Sequence, residues 1–160
     1  MLLPGALWAQ QGDSYDIQAN IIYRFTKYID WPEDKKTGDF IIGIVGDSPI
    51  KQALDNFIGN KTAGSRRIIT RRFSSVASVF NCHILFISED ERSSLRKIAW
   101  RTNGSPVLIV TEAEGMARIG ACINFSIVAE RLTLEINKNT IEERNMNIAS
   151  ELLQLGKIVR

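Results

Sequence analysis

Between Ser14 and Pro32 the apolar residues Ile17, Ile21, Ile22, Phe25, Tyr28 and Ile29 recur at helical spacing, with Arg24 and Lys27 off the stripe. That spacing predicts an amphipathic helix, capped by Ser14 or Asp16 and ended by Pro32. The pattern then changes period. Phe40 to Val45 is a short apolar run that predicts a buried strand, and Gly46-Asp47-Ser48-Pro49 turns the chain into a helix over Ile50 to Ile58. Arg67 to Phe73 reads as a second strand, Ser74 to Phe80 as a short helix, and Ile84 to Ile87 as a third strand. Ser88 with Glu91 has the spacing of a capping box for a helix running to about Arg101. Pro106 to Val110 follows as a fourth strand. Thr111 with Glu114 repeats the capping spacing ahead of a short helix that ends near Gly120.

Strand then helix, four times over, is the signature of an α/β fold: three layers, doubly wound, with a mostly parallel sheet of about six strands. Ala121 to Val128 and Arg131 to Asn137, joined at Ala129-Glu130, predict a C-terminal antiparallel hairpin. Helical segments near Thr140 to Asn145 and Ala149 to Ile158 close the chain, anchored by Leu152, Leu153 and Leu155. No linker or repeat interrupts residues 10–160, which read as a single domain.

Residues 1–9 are apolar and stop abruptly at Gln10-Gln11-Gly12-Asp13, the pattern of a signal-peptide remnant with cleavage after Ala9. Export is the expectation. The 160 residues are 44% hydrophobic and 24% charged, ordinary values for a globular chain, and a net charge of +2 is too small to announce nucleic acid. One histidine, His83, and two cysteines, Cys82 and Cys122, fall short of a four-ligand zinc site. No metal or cofactor is expected.

Four places invite a functional reading. Gly46-Asp47-Ser48-Pro49 resembles the nucleophile block of GDSL-type esterases, but such a serine needs a nearby base, and His83 is the one histidine. A tight turn explains the block better. Gly43 and Gly46 also miss the G-x-G-x-x-G fingerprint of a dinucleotide site. Arg66, Arg67, Arg71 and Arg72 are the one concentration of charge, suited to an edge strand or, at Arg71 and Arg72, to a partner-facing rim. Tyr28 and Trp31 either pack on the domain or wall a ligand or partner groove. In an exported protein Cys82 and Cys122 are a disulfide pair if their strands are neighbours. With the fourth strand between them they stand roughly 9.6 Å apart and remain two buried thiols.

Several segments together resemble the YfiR family of periplasmic proteins. They are Tyr23-Arg-Phe-Thr-Lys-Tyr-Ile-Asp-Trp-Pro32, Ile44-Val-Gly-Asp-Ser-Pro49, Cys82-His-Ile-Leu-Phe-Ile-Ser88, Pro106-Val-Leu-Ile-Val110, Leu132-Thr-Leu-Glu-Ile-Asn137 and Ser150-Glu-Leu-Leu-Gln-Leu155. Their order holds from about Tyr15 to the end. The resemblance implies a non-enzymatic regulator in the periplasm that binds the periplasmic domain of a membrane diguanylate cyclase, or of a sensor histidine kinase. Such binding represses cyclic di-GMP signalling and biofilm formation. It further implies an outer-membrane lipoprotein as a second partner, a homodimer, and redox sensitivity through cysteines. The alternative from the residues alone is a periplasmic small-molecule binder, its ligand at the C-terminal strand ends near Gly46, Ser88 and Thr111.

Overall fold

The computed structural model describes residues 4–160, with side chains from Ser14 onward; the signal-remnant reading of residues 1–9 therefore lies outside what it describes. The chain opens with α1 (Pro4–Tyr28), and the next two residues, β1 (Ile29–Asp30), pair antiparallel with β9 (Asn147–Ile148). Between them lie β2 (Phe40–Val45), α2 (Ile50–Ile58), β3 (Thr62–Ala63), β4 (Arg66–Phe73) and β5 (Ile84–Ile87). Then come α3 (Leu95–Arg101), β6 (Leu108–Thr111), β7 (Ile123–Val128), β8 (Arg131–Ile136) and α4 (Lys138–Glu143). After β9, α5 (Ser150–Leu153) and β10 (Lys157–Ile158) end the fold.

The main sheet has eight strands in the order β10-β8-β7-β6-β5-β2-β4-β3. Strands β4, β2, β5, β6 and β7 run parallel, while β7 with β8 and β3 with β4 pair antiparallel. Every side chain of β5 and β6 is buried, so both faces of the sheet centre need cover. Phe25 of α1 stacks on Phe125 of β7 at 6.4 Å between ring centroids, which lays the long helix across one face. The β2–α2–β4 and β5–α3–β6 crossovers run in opposite directions along the sheet. Right-handed connections therefore put α2 and α3 on opposite faces, and α1 packs beside α2.

This architecture corrects the expected three-layer, doubly wound sheet of about six strands with a C-terminal hairpin. The sheet is mixed, has eight strands and curls into a half-barrel. Within the five-strand parallel core, α2 and α3 are the crossover helices, and α4 and α5 lie on the connection from β8 to β10. The β4-to-β5 connection has no helix, and β6 reaches β7 through the 3₁₀ turn Met116–Arg118. Twist accumulates over the eight strands and curls the sheet. The hairpin is present, its turn residues Ala129 and Glu130 both in the left-handed region at φ 52 and φ 65. It does not end the sheet, because β10 adds parallel to β8. Gly156 permits that approach: a Cβ there would stand 2.6 Å from the Leu134 carbonyl oxygen.

Other local expectations yield to specific competitors. Ser74 to Phe80 stays irregular because Phe80 alone is buried, leaving Val76 and Val79 exposed and no stripe for a helix to cover. Ser88 bonds Asp90 rather than capping a helix, and Glu89–Ser94 form a 3₁₀ segment ahead of α3. Thr111 Oγ1 donates to Asn124 Oδ1 at 2.6 Å, so the second capping box never forms. On α1 the buried face is Ala19, Ile22 and Phe25, whereas Ile17 is half exposed. Phe25→Ala removes a fully buried ring and is expected to cost about 3–5 kcal/mol, whereas Ile17→Ala should cost less than about 1 kcal/mol. Chemical denaturation of the two variants checks this; equal losses would place the helix face wrongly.

Candidate functional site

At the C-terminal ends of β2, β5 and β6 the loops close on one another. Gly46 has φ +96, and a Cβ there would fall 1.9 Å from Ser88 Oγ, so the space is already filled by Ser88 and Asp90. Asp90 accepts from Ser88 and from the Asp47 N–H, which holds its carboxyl below the usual range. Ser48 is buried, and its Oγ accepts the Ile50 N–H at 3.2 Å, serving the start of α2. Tyr15 reaches down from α1 to Glu112 and Ser48. Burial and the Glu112 charge push its hydroxyl up to about 12. Glu112 accepts the Glu89 N–H at 3.1 Å, and burial raises its carboxyl above the usual value. The strand ends near Gly46, Ser88 and Thr111, named by the sequence as a ligand position, are thus occupied by the protein's own side chains.

His83 belongs to the other end of the sheet. Its Nδ1 accepts the Ile41 N–H at 3.1 Å, so Nε2 carries the proton and donates to the Lys35 carbonyl at 2.8 Å. That tautomer leaves Arg66, 3.0 Å from Nε2, no acceptor on the ring; its guanidinium instead ties down the Thr37, Gly38 and Asp39 carbonyls. The ring stacks on Phe40 at 4.5 Å, and desolvation drives its pKa down to about 4. Ile41 and Val45 alone are separated by four residues of strand, about 13 Å, and Ser48 lies farther on. A Ser48–His83 pair is excluded.

Trp31 is inside the fold, its Nε1 donating to the His83 carbonyl at 3.2 Å and its ring edge-on to Phe40. Tyr28 is half-buried where α1 ends, its carbonyl accepting the Ala149 N–H at 2.8 Å. Arg71 and Arg72 are exposed on β4, with Arg72 donating to the Gly46 carbonyl at 3.0 Å. These four residues do not converge on one site. Cys82 and Cys122 are both buried and unpaired, which corrects the expected disulfide. They precede β5 and β7, and β6 lies between those strands, so the gap is about two strand spacings, roughly 9.6 Å. A disulfide needs Cα atoms within about 6.8 Å. Desolvation pushes the thiols up to about 12 and about 11, so neither is a reactive thiolate, and redox sensitivity has no support in this geometry.

The surface with binding character lies elsewhere. Ile17 and Ile21 of α1 face Phe125, Leu132 and Leu134 of the hairpin, and Leu155 closes a groove of about 260 Å³. Asn20 and Arg24 supply its polar rim. Ile17 is 51% exposed and Leu155 55%, and at the hairpin tip Ile127 reaches 69%. Strand β10 pairs with Glu135 and Ile136 only, so on the side away from β7 Arg131 to Thr133 present a free strand edge beside the groove. Apolar side chains in a groove next to unpaired backbone are what a protein segment recognises. Sequence reasoning missed this site, although α1 carries more apolar positions than one buried face can use.

Among the described residues, no group of three His, Cys, Asp or Glu side chains can hold a metal ion, and no helix is long and apolar enough to cross a membrane. Two measurements check the buried groups. Thiol titration should find Cys82 and Cys122 unreactive in the folded protein and both free after denaturation; one thiol or none would restore the disulfide. His83 is depressed from about 6.5 unfolded to about 4 folded, so the unfolded chain binds its proton first and stability falls as pH drops through that window. The loss is on the order of 2–3 kcal/mol, and His83→Asn should flatten this limb. Glu112, raised by burial, titrates with the opposite sign, so the difference between the two proteins is the quantity to read.

Comparison with curated proteins finds no match. A family model described as YfiR/HmsC-like matches residues 15–157, from Tyr15 on α1 to the last strand of the sheet. The buried structural roles of Ser48, His83 and the cysteines, and the groove beside the hairpin, suit a binding protein, and the chain belongs to the YfiR/HmsC-like family.

Proposed function

We propose that this protein binds the periplasmic sensor region of an inner-membrane diguanylate cyclase, or of a sensor histidine kinase, and thereby represses cyclic di-GMP signalling and biofilm formation. Membership of the YfiR/HmsC-like family supports a periplasmic, non-enzymatic regulatory role. The observation that carries the finer reading is the groove between α1 and the hairpin, with the free edge of β8 at its side. An extended or helical segment of the sensor can bury Ile17, Ile21, Leu132 and Leu155, whose exposure is costly in the free protein. The outward backbone groups of Arg131 to Thr133 add directional hydrogen bonds. Arg71 and Arg72, across the sheet on β4, are a second contact that an acidic sensor region or an outer-membrane lipoprotein can use. A homodimer would use one of the same surfaces.

The test is capture of the purified periplasmic sensor segment by the wild type and by Ile17→Asp with Leu155→Asp. Both positions are half exposed, so the double variant should keep its melting temperature within the range of surface changes. A charge in a desolvated contact costs roughly tenfold or more in affinity. Loss of capture by the groove variant is therefore expected, while Arg71→Glu with Arg72→Glu has the smaller effect. Full capture by the groove variant would overturn this placement of the interface.

A further inference from the structure

The face opposite α1 carries a second exposed surface of different chemistry. Trp100 is 79% exposed, Val76 72% and Val79 70%. They stand on adjoining segments, because Arg101 Nη1 donates to the Ala77 carbonyl at 2.9 Å and holds residues 74–80 beside the C-terminal end of α3. Along α3 and the adjoining segment the charges have one sign. Arg92, Arg96, Lys97 and Arg101 are exposed, and neither residues 92–111 nor residues 74–83 contain an acidic side chain. Arg92 pairs with Glu89 at 3.4 Å; among the described residues Arg96, Lys97 and Arg101 meet no carboxylate within ion-pair distance. On the helix Arg96 lies four residues and Lys97 three residues before Trp100, so both cations flank the indole on one face.

We propose that this surface, Trp100 with Val76 and Val79 inside a ring of Arg96, Lys97 and Arg101, rests on an anionic lipid surface. An indole and isolated aliphatic side chains suit the boundary between headgroups and acyl chains, where tryptophan is enriched. Cations without acidic partners complement a sheet of phosphodiesters, whereas a specific protein contact uses both signs to fix its register. The single indole gives no stacking platform for successive bases of a nucleic acid. The surface is separate from the groove beside the hairpin, so the inference does not depend on the proposed regulatory partner.

Co-flotation of the full chain with vesicles decides it. The protein should float with equal parts phosphatidylglycerol and phosphatidylcholine, should not float with phosphatidylcholine alone, and should be released as salt is raised. Each basic residue near an anionic surface is worth roughly fivefold in partitioning, so Arg96→Gln with Lys97→Gln should weaken binding roughly 25-fold. Trp100→Ala should also weaken it. All these positions are exposed, and unaltered melting curves identify variants that fold normally. No flotation with the anionic vesicles, equal flotation with phosphatidylcholine, or wild-type flotation of Trp100→Ala overturns the proposal. So does a result in which Trp100→Ala abolishes capture of a protein or a single-stranded nucleic acid while no vesicle is bound.

Discussion

Strands β5 and β6 bury every side chain they carry, and keeping both of their faces dry is the constraint on which the other elements depend. On one face the cover is α1, whose Ala19, Ile22 and Phe25 are fully buried. The helix is held at its middle and at its C-terminal end. Tyr15 reaches Glu112 at the C-terminal strand ends, and beyond Tyr28 the chain joins β9 through Ile29 and Asp30. Held this way, α1 cannot also bury Ile17 and Ile21 against the sheet. The unspent apolar edge of the helix, the hairpin and Leu155 together make the groove.

Functional reading follows from where the polar groups are tied. Ser48 serves the start of α2, His83 is a neutral bridge between Ile41 and Lys35, and both thiols are buried and kept protonated. Ser48 and His83 each have a structural partner and lie toward opposite ends of the sheet, and neither thiol is a thiolate. Two surfaces remain available, one apolar and grooved beside α1, the other basic and aromatic on the face of α3. On the proposed reading the first holds a sensor segment while the second lies against a bilayer.

Much of the sheet was legible in the sequence because its strands are short, uninterrupted apolar runs, as in Phe40–Val45, Ile84–Ile87 and Leu108–Thr111. The hairpin turn at Ala129-Glu130 was legible for the same reason on both sides. What escaped has physical causes. Strands β3 and β10 have two residues each, too few for any period, and β10 exists because Gly156 lets the chain meet β8. Both capping boxes had the right spacing, but Ser88 and Thr111 found tertiary partners instead. Trp31 looked available beside Pro32, yet its indole N–H has a buried acceptor in the His83 carbonyl. The groove left a trace only in the excess of isoleucine on α1, which helical period alone could not divide between core and surface.

Hydrogen exchange of the chain alone and in complex with the periplasmic sensor segment of its cognate cyclase or kinase tests docking at the groove most directly. The outward-facing amides of β8 exchange quickly in the free protein because Arg131 to Thr133 pair with β7 on one side and with no strand on the other. On binding, protection confined to the Ile17–Arg24 turns of α1 and to Arg131–Thr133 is predicted. Protection at the C-terminal strand ends around Gly46 and Ser88, with β8 still exchanging freely, would contradict it.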